Sequence, residues 1–319
     1  MTPQTTVPTR IPGIGALRLP VSRNDLLLLM VAMMQIGLGV ETYLAHLISG
    51  DVKPAESIPV FLGPIFGVIL LGALGLRLSR RATTLSSLII PLSSLIILAV
   101  AAASVVVGVV GSAFHWARVV PPASAPGAAL RWDWLIFAPP ILGPLAFAGV
   151  GLLAIIAVLE DTQPESGKLT LPGIISFNTP LPQTRQFLWL IAFGLYAATL
   201  SSFLDHGRTS FENVFVWTPV VLGAFGAVAT TLMALYANHK AADWFIFFWI
   251  MILMIVLGVM GLGLHVNADL PEGTANIVWE RFIQYRLGTL HPGSTRDGPY
   301  AVCVDGLLRP HHHDWCRDG

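Results

Sequence analysis

The sequence predicts an all-α fold, a polytopic transmembrane helical bundle built from repeated hairpins, with about seven spans and an interfacial or incomplete eighth. Composition is the first observation behind this: 54% of the 319 residues are hydrophobic and only 11% charged, where a soluble domain carries about 25% charged residues. Run length is the second. Stretches such as 26–47 and 86–111 exceed the roughly 18 to 20 residues that cross about 30 Å of hydrocarbon as helix. The third is punctuation: four apolar runs end in a histidine, at His46, His115, His206 and His265, and a short polar link carrying acids follows each one.

Residues 1–24 hold Pro3, Pro8, Pro12 and Pro20 among Thr and Arg. Proline lacks the amide donor and clashes with the preceding turn, so no continuous helix forms there. This segment reads as a cytoplasmic N-terminal tail, since no small-residue cleavage site follows the apolar stretch. The transmembrane domain occupies 25–287. Its spans are expected at 25–48, 58–78, 86–114, 134–159, 186–205, 214–237 and 243–265, from apolar runs and their breakers. An eighth element begins at Asn276, but Glu280, Arg281 and Arg286 interrupt it, so it is expected to lie at the interface.

From residue 288 to 319 the hydrophobic period is lost. This irregular C-terminal tail holds both cysteines, Cys303 and Cys316, and the run His311, His312 and His313. Their spacing does not match a paired zinc knuckle. A disordered tail, a metal-binding tail and a frameshifted or truncated final span are the three readings of it.

Lysine and arginine set orientation, because they are retained on the cytoplasmic side during insertion. Arg10, Arg18, Arg23, Arg77, Arg80, Arg81, Lys168, Arg185 and Lys240 fall on one side and Lys53, Arg118, Arg131 and Arg208 on the other, nine against four. The N-terminus is therefore expected inside. One out-and-back hairpin separates each histidine from the next, so all four are expected at the extracytoplasmic face, beside Asp51, Glu56, Asp133, Asp205, Glu212 and Asp269.

The return helices also resemble one another. Pro59 with Gly63-Pro64, Pro139-Pro140 with Gly143-Pro144, and Trp217-Thr218-Pro219 mark their entries, and Asn276 with Trp279-Glu280-Arg281-Phe282 offers a fourth. Internal duplication is a common way to build membrane folds. Glycines such as Gly63, Gly67, Gly143 and Gly151 are expected to let helices approach closely.

Imidazole is the commonest transition-metal ligand and a frequent axial ligand of haem iron. The four histidines are therefore the candidate ligand set for a transition metal (iron or copper) or a b-type haem. Histidines that merely sit at the interface and bond loop carbonyls account for the same pattern. Asp205 adjoins His206, but neighbours on a helix point about 100° apart, so Glu212 is the better candidate to fix that imidazole. Glu41 lies inside the first span, where an ionised carboxylate is costly; five residues from His46, it projects about 140° away.

Net charge is zero, which gives no support to a nucleic-acid partner. No phosphate-binding glycine loop, His-Glu-x-x-His pair, Gly-x-Ser-x-Gly elbow or Cys-x-x-Cys-His site occurs, which disfavours an ATP-driven pump, a zinc protease of that type, a serine hydrolase and covalent haem. The partners expected are the lipid bilayer and other membrane or redox subunits. The sequence thus frames a membrane redox subunit with a histidine and carboxylate cluster. Its rivals are a permease or channel-like protein using Glu41 and a non-catalytic anchor or assembly subunit.

Overall fold

The computed structural model describes residues 9–11, 15–17, 22–48, 54–79, 86–119, 136, 140–163, 165–207, 211–236 and 238–268. Within them the chain forms helices α1 (Arg23–Ile48), α2 (Pro54–Ser79), α3 (Ser86–Val119), α4 (Leu145–Val158), α5 (Gln183–Gly207), α6 (Trp217–Leu235) and α7 (Ala241–Ala268). All but α4 are long and apolar enough to cross a membrane, α6 together with the 3-10 turn Val214–Val216 that leads into it. The expected eighth element and the tail from 288 lie outside the described residues, as does the side chain of His265.

The fourth expected span differs most from its expectation. Helix α4 has 14 residues, about 21 Å of rise, which is short of about 30 Å of hydrocarbon. Hydrogen-bonded turns over 141–144 precede it, with Gly143 N on Pro140 O at 3.3 Å. The Pro140 and Pro144 rings remove amide donors where a longer helix would need them. Helix α3, by contrast, runs past its expected end at 114 to Val119, so His115 sits inside its last turns.

Consecutive helices pair as antiparallel hairpins, α1 with α2, α3 with α4 and α5 with α6, and α2 and α4 pack in turn against α3 and α1. Lipid is as apolar as leucine, so close backbone approach drives such pairing instead of burial from water. Glycine makes the approach possible. A methyl at Gly63 would lie 2.7 Å from Gln35 O and from Gly39 Cα, and one at Gly151 would lie 2.6 Å from Ala101 O. The core of α1–α4 fills with Leu28, Val31, Leu70, Ile97, Ala101 and Ala154. On α1 the buried positions 25, 28, 32, 35 and 39 recur at the helical period, which leaves the opposite face to lipid.

Two small sheets were not expected from the sequence. β1 (Thr9–Ile11) pairs antiparallel with β2 (Gly15–Leu17) inside the N-terminal tail. Between α4 and α5 the strands β3 (Glu160–Asp161), β4 (Lys168–Leu171) and β5 (Ile175–Asn178) form an antiparallel meander. Alternation along β4 buries Leu169 and Leu171 and exposes Lys168, as a half-buried strand requires. Gly173 turns the chain from β4 to β5 with φ +77°, and a methyl there would meet Pro91 Cδ at 2.9 Å. Only glycine suits both demands.

At the rim near this meander, polar side chains tie the helix ends together. Arg77, 2% exposed, lies 3.7 Å from Asp25 and 3.1 Å from Glu160. Asp25 also completes a capping pair with Ser22, whose Oγ accepts from Asp25 N at 3.1 Å and donates to Asp25 Oδ2 at 2.7 Å. Gln183 donates to Ile156 O and Leu159 O and accepts from Arg23 at 2.6 Å. Arg185 donates to Ala234 O and Leu235 O, closing the C-terminal end of α6.

Candidate functional site

The opposite rim carries the histidines. His46 lies two residues before the described end of α1, and His115 lies four before the end of α3. Parallel helices bring these equivalent positions to one side of the α1–α4 bundle, where their ring centroids stand 6.2 Å apart with 73° between the planes. His46 Nδ1 is 2.8 Å from Thr42 O, one turn back on α1. His115 Nδ1 is 2.8 Å from Pro140 O, in the turn that leads to α4. A carbonyl oxygen only accepts, so each Nδ1 carries the hydrogen, and in the neutral ring Nε2 holds the lone pair. That tautomer is the one a metal-binding imidazole adopts when its other nitrogen is held by a carbonyl.

The rim is braced by charge and by further hydrogen bonds. Arg118, three residues after His115, pairs with Glu56 in the first turn of α2 at 3.0 Å. Ser112 donates to Ile141 O at 2.9 Å from a buried position, which pins the turn that holds His115. Deeper in the bundle, buried Gln35 donates to Ser104 at 2.5 Å, and Ser104 donates to Phe147 O at 2.8 Å.

The remaining candidates are placed apart from this pair. Asp205 and His206 end α5, and Asp205 with Ser201, Leu204, Pro140, Ile141 and Leu142 lines a pocket of about 10 Å³, room for about one water. Pro140 thus borders that pocket and also meets His115 through its carbonyl. Glu212 is exposed in the turn after Phe211, whose φ is +53° and whose ring stacks on Trp217 at 4.2 Å. Glu41 is exposed on the outer face of α1. The backbone of His265 continues α7. Among the described residues no group of three or more His, Cys, Asp or Glu side chains is poised for one metal ion, so the juxtaposition present is a pair.

The pair can be tested against simple coordination geometry. Imidazole nitrogens bind such metals at about 2.0 Å. Two rings on opposite sides of one ion then place their centroids about 6.4 Å apart, and a tetrahedral angle shortens this to about 5.2 Å. The observed 6.2 Å falls near the opposed limit.

Sequence reasoning missed two features. Arg77 reads as a loop charge that follows the second span, yet α2 continues through it to Ser79 and buries it; the Ser22-x-x-Asp25 capping pattern was the legible sign of the acid it meets. The Gln35 and Ser104 contact had a signal too, since both stand eleven residues before a histidine.

Six long apolar helices arranged as hairpins define an integral, multi-pass, all-helical membrane protein. No protein-family model, curated protein or solved structure matches the chain.

Proposed function

We propose that this protein is a membrane redox subunit in which His46 and His115 are the two protein ligands of one b-type haem iron or one copper ion. The observation that carries this reading is the pair itself: two imidazoles from successive hairpins, 6.2 Å between centroids, each with Nδ1 engaged by a backbone carbonyl. When bound, the metal supplies one-electron chemistry; the chain's own groups bind and orient it. Thr42 O and Pro140 O set the imidazole tautomers, and Ser112 steadies the turn bearing Pro140. The placement of the pair at the N-in exterior face, inferred from the lysine and arginine bias, makes an extracytoplasmic or quinone-linked electron partner the natural one.

The permease reading draws less support, because Glu41 faces outward from the bundle instead of into it. Purification in mild detergent followed by metal analysis and oxidised and reduced absorption spectra tests the proposal. A near-stoichiometric haem or copper content that His46→Ala and His115→Ala each remove is expected. A folded, colourless and metal-free protein overturns it.

A further inference from the structure

At the rim that carries the meander, described residues line a cavity of about 310 Å³ where α5 begins, α6 ends and α7 begins. That volume falls at the lower end of small-ligand sites, about 300–1,000 Å³. Thr184, Arg185 and Leu188 come to it from the first two turns of α5, Tyr236 from the residue after α6, and Trp244 from the first turn of α7. The ends of membrane-spanning helices lie at the depth of the lipid headgroups. The cavity therefore does too.

Two opposite charges line it without meeting. Arg185 Nε and Nη2 donate to Ala234 O and Leu235 O at 2.8 and 2.7 Å, which fixes the guanidinium and leaves Nη1 as a donor without a partner among the described residues. Beside it, the Thr184 hydroxyl accepts from Arg23 at 3.4 Å and keeps its own hydrogen for an acceptor. The first amides of α5 lack intrahelical partners and favour an anion at the same place. Glu165, in the turn between β3 and β4 at φ +61°, is held by its amide on Asp161 Oδ2 at 3.2 Å, while its carboxylate makes no hydrogen bond or ion pair among the described residues. The rings of Tyr236 and Trp244 lie along the same cavity, and their faces attract an ammonium. A cation and a carboxylate that share a cavity without neutralising one another match a ligand that carries both charges.

We propose that this cavity holds the headgroup of a zwitterionic phospholipid, with its phosphate on Arg185 and Thr184 and its ammonium on Glu165 beside Tyr236 and Trp244. Basic pockets between membrane helices take anionic headgroups, and Glu165 is what changes the preference here. An ethanolamine ammonium donates a charge-assisted hydrogen bond to that carboxylate; a glycerol headgroup brings no charge to meet it. A lipid, and not a soluble phosphate ester, follows from the depth of the site and from Pro182 and buried Leu188, an apolar wall for the glycerol backbone and the first acyl carbons. The site lies on the rim opposite His46 and His115 and does not depend on a metal there.

Native mass spectrometry of the full-length protein in mild detergent, titrated with dioleoyl phosphatidylethanolamine or dioleoyl phosphatidylglycerol, tests it. The first lipid is expected to bind about 3- to 10-fold tighter than the second, the range for one ionic hydrogen bond at a partly exposed site. Glu165→Gln removes no bond that the side chain makes among the described residues, so it should keep the fold and erase the preference. A parent protein that binds neither lipid, or binds phosphatidylglycerol as tightly, overturns the proposal. So does a Glu165→Gln protein that retains the preference, since the lipid then sits elsewhere. Soluble phosphoethanolamine binding as tightly as the lipid would overturn it as well, by making the ligand a free solute.

Discussion

Gln35 and Ser104 meet at 2.5 Å in the interior of the α1–α4 bundle, and each stands eleven residues before the histidine of its own helix. The contact therefore sets the register between two helices whose ends carry His46 and His115. Gln35 Oε1 has no hydrogen-bond partner among the described residues, so the serine hydroxyl is the partner that its amide has.

Ser104→Ala should destabilise the fold by about 1–3 kcal/mol, the cost of leaving a buried polar group unsatisfied. Gln35→Leu removes the amide altogether and is expected to cost less. Detergent unfolding of both variants and of the double variant gives the coupling directly; hydrogen bonds between membrane helices average about 0.6 kcal/mol in such cycles. Equal losses for Ser104→Ala and Gln35→Leu, with no coupling, would remove the pair from any role in register.

Arg77 gives a graded prediction. It is 2% exposed between Asp25, 5% exposed, and Glu160, 37% exposed. Removing one partner of a buried ion pair costs about 3–5 kcal/mol because the other charge is stranded. Arg77→Ala should therefore be the most damaging of the three, Asp25→Asn intermediate and Glu160→Gln mild, since water reaches the last. Thermal denaturation in detergent would show the order; a Glu160→Gln loss as large as that of Arg77→Ala would contradict it.

Glycine offers a contrast within single helices. Methyls at Gly63 and Gly151 would press on backbone atoms at 2.6–2.7 Å, whereas those at Gly72 and Gly149 would meet nothing within 4 Å among the described residues. Gly63→Ala and Gly151→Ala should force their hairpins apart and destabilise by about 1–3 kcal/mol. Gly72→Ala and Gly149→Ala should be neutral or stabilising by up to about 1 kcal/mol, from helix propensity. Loss of fold in the second pair would mean that those faces are covered by a partner in the membrane.

The long helices were legible because a spanning helix needs a run of apolar residues and little else. Their contacts were less so. The side on which His46 and His115 emerge follows from counting hairpins, but which histidines meet depends on glycine and serine contacts deep in the bundle, such as Gly63 on Gly39 and Ser104 on Phe147 O. Gly63 reads in the sequence as a close-approach residue and Ser104 shares its spacing to a histidine with Gln35, but neither signal says which helix is met. The β3–β5 meander escaped notice because strands of two to four residues give too short an alternation to stand out between two spans. The shortness of α4 was written in Pro140 and Gly143-Pro144, which mark a break as readily as a helix entry.

The turn before α4 yields the last prediction. His115 is oriented by Pro140 O, a backbone atom that substitution cannot delete, and the neighbouring Ile141 O is held by buried Ser112. Ser112→Ala should thus loosen the turn while leaving both imidazoles in place. Groups that orient a ligand histidine typically account for about 10- to 100-fold in metal affinity, and because Ser112 acts through the adjacent residue, a loss near 10-fold is expected. Competition with a chelator, or haem titration followed by absorbance, would measure it beside His115→Ala, which should abolish binding. Unchanged affinity in a correctly folded Ser112→Ala protein would show that Pro140 positions the ring without help from its neighbour.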